Sequence, residues 1–318
     1  MERVIEEIPL DLILSELTPE RKLRNTNKGD NEIYIVDAHT CPNTMREIGR
    51  LRELAFRDGG GGTGLACDID EFDTMDVPCR QLIVWDPTAQ AIIGGYRFIL
   101  GNDVRIEEGV PRIATSHLFH FSPRFISEIL PRSIELGRSF VRLEYQSTKS
   151  SPKAIYALDN LWDGLGALTV LHPEIEYCFG KVTMYPQFGA DGRDLILGFL
   201  HRHFPDPDRM LYPIEPLDSR AAEEEVQQVF SSDCYKENFK TLIHRLRNLG
   251  RNVPPLVNAY MSLSPTMRVF GTAVNREFGD VEETGILIKF SDIFEEKKAR
   301  HIGTYRQLID SSIEKPEK

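Results

Sequence analysis

Two different spacings of apolar residues run along this chain, and each predicts its own kind of element. In "TMREIGRLRELAFRD" (44–58) the apolar positions recur every three or four residues, which predicts a helix. Alternation in "SIELGRSFVRLE" (133–144) predicts a strand, and "RQLIVWD" (80–86) with "AIIGGYRFIL" (91–100) predicts a β-hairpin. The same patterns predict further helices at 125–132, 150–172, 191–204, 218–250 and 254–263, and further strands at 32–38, 175–185, 267–274 and 284–293. Alternating strands and helices favour an α/β fold whose sheet is covered on both faces.

The chain shows no proline-rich linker that would divide this succession of elements. We therefore expect one elaborated domain over residues 1–318, with its core at about 32–293. Residues 1–30 are expected to form an irregular arm, and residues 205–263 a helical insertion. The charged segment 294–318 is expected to be a flexible tail.

The segment "FRDGGGGTGLACDIDEFDTMD" (56–76) fits G-x-G-x-x-G at Gly59, Gly61 and Gly64. A dinucleotide site needs a strand before these glycines and a helix after them, so that the helix N-terminus can hold the pyrophosphate. Here a helix leads in and a run of acidic residues follows, which would repel a diphosphate. Four consecutive glycines lose much entropy on ordering, so the segment is either a plain surface loop or a mobile cover that orders when a substrate binds.

The overall charge narrows the classes of partner. With 38 Lys and Arg against 49 Asp and Glu, the net charge is −11, which disfavours non-specific binding to nucleic acid. The five cysteines are scattered without a C-x-x-C pair, which argues against a disulfide framework and a thiolate zinc site. The N-terminus lacks the features of a signal peptide, and no apolar run reaches the roughly 20 residues that span a bilayer. We expect a cytoplasmic protein without a metal and without a tightly bound cofactor.

Charged residues on predicted strands are the strongest sign of a functional site. Arg97 follows a double glycine on one strand, and Glu135 with Arg138 lies on another. Buried charges need partners, so these residues form either a structural ionic network or a polar cleft for a charged substrate. The basic run 244–252, "HRLRNLGRN", is either a solvated helix face or a docking patch for an acidic partner.

In order and spacing, these motifs resemble a known family. Arg52-x-x-x-Phe56, Asp70-x-x-Asp73, "GGYR" ending at Arg97, and Glu135-x-x-Arg138 resemble the signature of acyl-homoserine-lactone synthases. With "ELGRS", "LW-x-GL" (161–165) and "PPL…Y…L" (254–263), the chain is more similar to ornithine and glycine lipid N-acyltransferases, often labelled hemolysin-like. The resemblance spans roughly residues 45–292, and it is the order of individually weak motifs that makes it strong.

The resemblance implies a GNAT fold, which is a mixed, V-split sheet flanked by helices. Here an N-terminal arm and extra C-terminal helices would be added. It also suggests acyl-carrier protein as the acyl donor, with acyl-CoA as the alternative. Acetyl-CoA enzymes of this fold carry a Q/R-x-x-G-x-G/A loop, whereas "QSTKSSP" (146–152) has no glycine there, which favours the carrier protein. Lys149, Ser151 and Lys153 at the next helix N-terminus could still hold one phosphate.

The resemblance and the Glu/Arg/Asp cleft together suggest transfer of a long, 3-hydroxylated or plain acyl chain to the α-amine of an amino acid. Glu135 is the first candidate for the base, and Asp70 and Asp73 are the second. Arg97 or Arg138 would bind the carboxylate of the acceptor. Arg52 would pair with the Asp70/Asp73 segment. Backbone N–H groups at Ser139–Val141 are the candidate donors to the oxyanion, and Phe56 of the first motif is a further candidate for substrate binding. The candidates for the acyl chain are apolar residues, each of which could equally be a core residue: Phe119, Phe121, Phe140 and Trp162.

The acceptor and the exact class of enzyme stay open at this point. Glycine and ornithine are both candidate acceptors, and the product would be a membrane lipid or its precursor. Brief docking at the inner membrane face would then need no insertion segment. The alternatives are a signal synthase of the acyl-homoserine-lactone type, which uses S-adenosylmethionine, and a non-catalytic acyl-binding protein that keeps the fold.

Overall fold

The computed structural model describes residues 1–146, 156–217 and 223–313. Within these ranges strands and helices follow one another along the chain, as an α/β fold requires. The strands are β1 (Lys22–Asn25), β2 (Glu32–Val36), β3 (Arg80–Asp86), β4 (Ala91–Leu100), β5 (Ile106–Glu107), β6 (Val110–Pro111), β7 (Phe119–Phe121), β8 (Ser133–Val141), β9 (Tyr177–Met184), β10 (Leu211–Pro213), β11 (Arg268–Asn275) and β12 (Val281–Lys289). The α-helices are α1 (Leu10–Glu16), α2 (Pro42–Asp58), α3 (Glu71–Thr74), α4 (Ala157–Leu171), α5 (Ala190–His203), α6 (Glu223–Val229), α7 (Tyr235–Asn248), α8 (Pro255–Met261), α9 (Glu295–Lys298) and α10 (Thr304–Ile313).

The chain forms two compact units. The first unit contains residues 1–104, 132–176 and 294–318, and the second contains residues 105–131 and 177–293. In the first unit β1, β2, β3, β4 and β8 pair in that order, and each pair is antiparallel. The long strands β3 and β4 are almost wholly buried, because their apolar residues face helices on both sides.

Two helices of the first unit cover opposite faces of this sheet. Gln81 and Arg97 are register partners on β3 and β4, so their side chains share one face, and Arg52 of α2 contacts Gln81 there. Leu82 points the other way, and Gly164 of α4 packs directly against its side chain. Side chains alternate between the two faces along β3 and β4. The face under α2 is therefore polar at Gln81 and Arg97, and the face under α4 is apolar.

In the second unit β12 pairs antiparallel with both β9 and β11. Two short strand pairs, β5–β6 and β7–β10, belong to the same unit. Its core is rich in aromatic residues: Phe125 packs edge to face against Phe179 at 5.2 Å and against Phe121 at 5.4 Å. The helix expected over 218–250 is described as α6 and α7 with a break between them.

The segment after Phe294, for which the sequence suggests a flexible tail, is helical through Ile313. It is held by a group of polar residues that we call the C-terminal cluster: Arg24, Asp163 and His301, which are buried, and Asn27, which is exposed. The Asp163 carboxylate accepts hydrogen bonds from the backbone N–H (2.8 Å) and side-chain amide (2.6 Å) of Asn27 and lies 2.8 Å from His301 Nδ1. A charged segment can therefore be ordered, because a buried carboxylate on α4 binds it.

The glycine segment is also tied down, contrary to the expectation of a cover that orders only when a substrate binds. The carboxylate of Glu53, buried on α2, accepts hydrogen bonds from the backbone N–H groups of Thr63 (3.0 Å) and Gly64 (2.8 Å) and from the Thr63 hydroxyl (2.8 Å). The Nε of Arg57 donates to the same carboxylate at 2.7 Å. These bonds offset the entropy that the glycines lose on ordering.

Candidate active site

The polar face of the first unit centres on Arg52 of α2, whose side chain is fully buried. Its Nε lies 3.0 Å from Asp68 Oδ2, and its Nη2 lies 2.8 Å from Asp73 Oδ2. The same Nη2 also donates to the backbone carbonyl of Asp68. Both carboxylates are themselves fully buried, so Arg52 compensates two charges that would otherwise be very costly in this position.

Two further arginines complete what we call the arginine–aspartate cluster: Arg52, Asp68, Asp70, Asp73, Arg97 and Arg138. Arg97 Nη1, on β4, lies 2.6 Å from Asp70 Oδ1 and 3.4 Å from Asp73 Oδ2. Arg138, on β8, reaches Asp68 Oδ2 at 3.0 Å and Asp70 Oδ2 at 3.4 Å. The cluster is not closed to solvent, since the side chain of Asp70 is 26% exposed and that of Arg138 is 17% exposed.

A short turn presents the two aspartates that the sequence singles out. Asp70 precedes the single-turn helix α3, and its Oδ1 accepts the N–H groups of Phe72 (3.0 Å) and Asp73 (3.3 Å). Asp73 returns the contact by accepting the N–H of Asp70 at 3.1 Å. This reciprocal capping box fixes the spacing Asp-x-x-Asp and holds both carboxylates toward the arginines.

The electrostatics of the cluster keep these carboxylates ionised. Burial by itself would raise the pKa of Asp70, but the charges of Arg97 and Arg138 outweigh it and lower that pKa below its usual value. Burial likewise opposes ionisation of Asp73, and the charges of Arg52 and Arg97 lower its pKa further still. Both carboxylates are therefore weak bases that serve best to position arginines.

The strand β8 carries a bulge at the cluster. Gly95 pairs with Phe140, and Arg97 pairs with Gly137. Between these two pairs β8 has two residues and β4 has one, which is a bulge on β8. In the bulge Arg138 adopts a φ of +46°. A bulge leaves one residue outside the regular ladder and turns its neighbours, and a positive φ in a non-glycine residue is strained. The double glycine before it has a steric role, because a Cβ at Gly94 would lie 2.5 Å from the carbonyl oxygen of Phe140.

Beside the bulge, one face of the sheet leaves room. Arg97 and Gly137 are register partners, as are Ile99 and Glu135, so Arg97, Gly137 and Glu135 share the face that Gln81 also occupies. A Cβ at position 137 would meet nothing within 4 Å. A half-buried glycine thus opens a space next to a buried guanidinium and a buried carboxylate.

The other sequence-predicted residues are distributed over both units. Ser139, Phe140 and Val141 lie on β8 at and after the bulge, Phe56 is buried on α2, and Trp162 is half-buried on α4. Phe119 belongs to the second unit, where it is buried beside Gly285 of β12. The predicted phosphate-binding residues Lys149, Ser151 and Lys153 lie outside the described residues.

Sequence reasoning did not identify several members of this face. Asp68 and Gln81 contact Arg52 directly, and Gln81 Nε2 donates to Asp73 Oδ1 at 2.9 Å. Cys79 adjoins the cluster, and burial raises the pKa of its thiol to about 12, so it stays protonated at neutral pH. Asp68 could have been found, since it opens the acidic segment "DIDEFD" (68–73), two residues before Asp70. Gln81 could not have been found from the sequence, because it belongs to no motif and lies in a strand of mostly apolar residues.

Within the described part of the chain, no group of three or more His, Cys, Asp or Glu residues is arranged to hold a metal ion. The aspartates of the cluster are bound to guanidinium groups instead. In the same described part, no helix is both long and apolar enough to cross a membrane.

Comparison with known proteins places this geometry in context. The family model described as an acetyltransferase (GNAT) domain matches residues 51–154. The chain is 58% identical over 317 residues to a protein of Bacteroides thetaiotaomicron named glycine N(alpha)-acyltransferase, which covers 99% of this chain and 94% of that protein. A protein of the same name from Phocaeicola vulgatus is 54% identical over 306 residues, which cover 96% and 94% of the two chains.

A more distant relative is L-ornithine N(alpha)-acyltransferase of Brucella abortus, 27% identical over 222 residues that cover 68% of each chain. Two solved structures are also similar. One is a CoA-dependent acyl-homoserine lactone synthase with SAM and isopentyl-CoA, at a TM-score of 0.36 and 11% identity over 87% of this chain and 89% of that one. The other is the acyl-homoserine-lactone synthase LasI, at a TM-score of 0.37 and 10% identity over 87% and 96%.

Proposed function

The chain belongs to the amino-acid N-acyltransferases of the GNAT fold, and on that premise we propose that it acylates the α-amine of glycine with a long fatty acyl chain. The observation that carries the proposal is the 58% identity to a glycine N(alpha)-acyltransferase over 99% of the chain. The chemistry forms an amide. The amine nitrogen attacks the thioester carbonyl, the C–S bond breaks, and the thiol leaves with a proton.

The reaction needs a base, because free amines have pKa values near 8 or above and an ammonium group has no lone pair. Asp70 and Asp73 are unsuited, since the neighbouring arginines lower their pKa values. Glu135 is the carboxylate that shares a face with Arg97 and the open space at Gly137. We assign it the role of accepting the ammonium proton, directly or through a water molecule.

The acceptor carboxylate needs a cation that it can reach. Arg97 is almost completely buried and is engaged by Asp70 and Asp73. Arg138 is more exposed, and its guanidinium is held in position by Asp68 and Asp70. We therefore assign recognition of the glycine carboxylate to Arg138, with Arg97 as the fixed charge behind it.

Two groups of the first unit would act on the thioester. We assign the oxyanion of the tetrahedral intermediate to backbone N–H groups of Ser139–Val141, which lie at and after the bulge of β8. Stabilising this negative charge is usually a large contribution to acyl-transfer catalysis. Phe140 and Trp162 are candidates to line the path of the acyl chain, and Phe119 is a candidate in the second unit. The protonated thiol of Cys79 favours direct transfer over an acyl-cysteine intermediate.

For the donor we propose an acyl-carrier protein, with acyl-CoA as the alternative, and a chain that can carry a 3-hydroxyl group. The support is the loop "QSTKSSP" (146–152), which has none of the glycines that grip the CoA pyrophosphate in acetyl-CoA enzymes. Residues 147–155 lie outside the described part of the chain.

The test is an assay of the purified protein with long-chain acyl-carrier protein or acyl-CoA, read by mass spectrometry. Glycine, ornithine and S-adenosylmethionine are offered separately as acceptors. We expect N-acylglycine from one or both donors, and accumulation of N-acylglycine lipids in cells that express the gene. Acylation of ornithine alone, or a homoserine lactone product, would replace the proposal. No acylated product from any pair would refute it.

A further inference from the structure

The helix α7 of the second unit carries an unusual arrangement of charge. Lys236, Lys240, His244 and Arg247 are separated by four, four and three residues, so they lie on one side of the helix, and all four are exposed. We call this set the α7 stripe. It extends over about 16 Å at the helical rise per residue. Among the described residues, no acidic side chain forms an ion pair with its three permanent cations.

Elsewhere in the chain, several exposed or half-buried cations pair with an acid one turn away. On α2, Arg50 lies 2.6 Å from Glu47 and Arg57 lies 2.7 Å from Glu53. In the segment before β8, Arg124 lies 3.1 Å from Glu128. The α7 stripe instead sets Lys236 four residues before Lys240, and a like-charge pair at this spacing destabilises a helix by about 0.2–0.5 kcal/mol.

The acidic residue that α7 does possess, Glu237, is bound to a residue before the helix rather than to a cation of the stripe. Glu237 accepts a hydrogen bond from the hydroxyl of Ser232 at 2.5 Å, ahead of the helix. The last turn ends in a Schellman motif, in which the N–H of Arg251 binds the carbonyl of Leu246 and Gly250 takes a φ of +69°. This turn brings Arg251 onto the ring of Phe188, 5.5 Å from its centroid. The cations thus continue beyond the end of the helix.

The opposite side of α7 shows what kind of partner the stripe does not fit. Leu242 and Leu246 are fully buried, and Phe239 stacks on Tyr235 at 5.9 Å within the second unit. A helix that lies in a membrane interface needs an exposed apolar side to insert. On α7 this side is packed inside the protein, so a polar, negatively charged protein surface is a better match than a lipid surface.

We propose that the α7 stripe is the docking surface for the acidic helical carrier protein that delivers the acyl thioester. The proposal rests on the proposed function and specifies the partner of the same reaction. A chain with a net charge of −11 would otherwise repel an acidic carrier, and a local row of cations overcomes this repulsion and steers the encounter. Complementary charge of this kind acts mainly on the association rate and on the KM for the carrier-bound substrate.

The experiment replaces three stripe residues together, in the full chain, as K236E/K240E/R247E. We expect the KM for acyl-carrier protein to rise by about tenfold or more at low salt, with little change in kcat. We expect kcat/KM with acyl-CoA of the same chain length to stay within about twofold of the wild-type value, because acyl-CoA has no protein part that could contact the stripe. The salt dependence of kcat/KM for acyl-carrier protein should become flatter in the variant.

Matched variants separate this effect from a general change of charge. K297E/R306E changes two cations outside the second unit and should leave the KM for acyl-carrier protein unaltered. The neutral variant K236Q/K240Q/R247Q should show a smaller loss in the same direction, and it carries the test if the charge-reversed protein does not fold. An unchanged KM for acyl-carrier protein in both stripe variants overturns the proposal.

A direct binding measurement distinguishes failure of the docking proposal from failure of the proposed function. Titration of wild-type protein with acyl-carrier protein should show binding that the stripe variants weaken, whether or not product forms. If no donor is turned over but this binding difference is present, the proposed function falls and the docking surface stands. If the stripe variants instead lose binding to phosphatidylglycerol vesicles and keep their affinity for acyl-carrier protein, the stripe is a membrane contact and the proposal is wrong.

Discussion

The first unit contains two buried ionic clusters that are built from similar groups and differ in what surrounds them. In the arginine–aspartate cluster, Asp70 and Arg138 are partly exposed, and the adjoining strand leaves open space at Gly137. In the C-terminal cluster, Asp163 is fully buried, and the backbone of His301 occupies the position where Gly166 has no side chain. A closed ionic cluster can only join segments, whereas one that solvent and space reach can also hold a substrate.

The largest effect we expect is on activity, and it distinguishes Glu135, which lies beside the arginine–aspartate cluster, from the C-terminal cluster. Glu135→Gln keeps the size of the side chain but removes a base, so kcat should fall by roughly 10²- to 10⁴-fold. Steady-state kinetics with glycine and a saturating acyl donor measure kcat, and thermal unfolding shows that the variant is folded.

Asp163→Asn is the matched change in the C-terminal cluster. It removes the charge that His301 and Asn27 bind, which should lower the free energy of unfolding by about 1–3 kcal/mol while kcat stays near that of wild type. If Asp163→Asn abolishes turnover in a folded protein, or Glu135→Gln leaves kcat unchanged, the division between a catalytic and a structural cluster is incorrect.

The next effect concerns stability within the arginine–aspartate cluster. Arg52→Met leaves Asp68 and Asp73 buried without their shared cation, which should lower the free energy of unfolding by about 3–5 kcal/mol. Urea denaturation measures the loss. Arg46, exposed on the same helix, is the control, and Arg46→Met should change stability by less than about 0.5 kcal/mol. Equal losses in the two variants would show that Arg52 has no special place in the fold.

The two clusters also differ in how far the sequence predicts them. Arg52, Asp70, Asp73, Arg97 and Arg138 are identified by their motifs, and the structure brings them into contact. Short local patterns make this possible, because a capping box and two adjacent strands place each residue relative to its neighbours. Alternation along β8 alone, however, would place Glu135 and Arg138, which are three residues apart, on opposite faces of the sheet. The bulge turns Arg138 toward the cluster.

The C-terminal cluster could not be predicted in the same way. Asn27 and Asp163 are 136 residues apart in sequence, and Asp163 and His301 are 138 apart. Neither contact has a local pattern, and "RHIGTYRQL" has the composition of a charged tail. The anchored glycine segment is a similar case, because its order depends on Glu53, which is buried on the preceding helix and would count as a solvated residue by composition. Long-range hydrogen bonds to single buried carboxylates are what sequence patterns leave out.

The smallest effect we expect comes from adding one methyl group beside each cluster, at Gly166 and at Gly137. Gly166→Ala should gain about 1 kcal/mol in helix propensity. Its Cβ would lie 2.6 Å from the carbonyl carbon of His301, however, and the overlap should make the net change a destabilisation of about 1–3 kcal/mol. Gly137→Ala meets no atom within 4 Å and has no positive φ to strain, so the free energy of unfolding should stay the same or rise slightly.

For activity the two variants should rank in the opposite order: Gly137→Ala should be the less active and Gly166→Ala the more active. The methyl group of Gly137→Ala enters the space that we assign to glycine, beside Arg97 and Glu135, and should lower kcat/KM for glycine by about tenfold. Gly166→Ala should retain its kcat/KM at temperatures where it is folded. The discriminating measurement is kcat/KM for glycine against the melting temperature in the same two proteins. If Gly137→Ala is as active as wild type, the open space is not where the acceptor binds, and the acceptor site must lie nearer to Arg138 on the exposed side of the bulge.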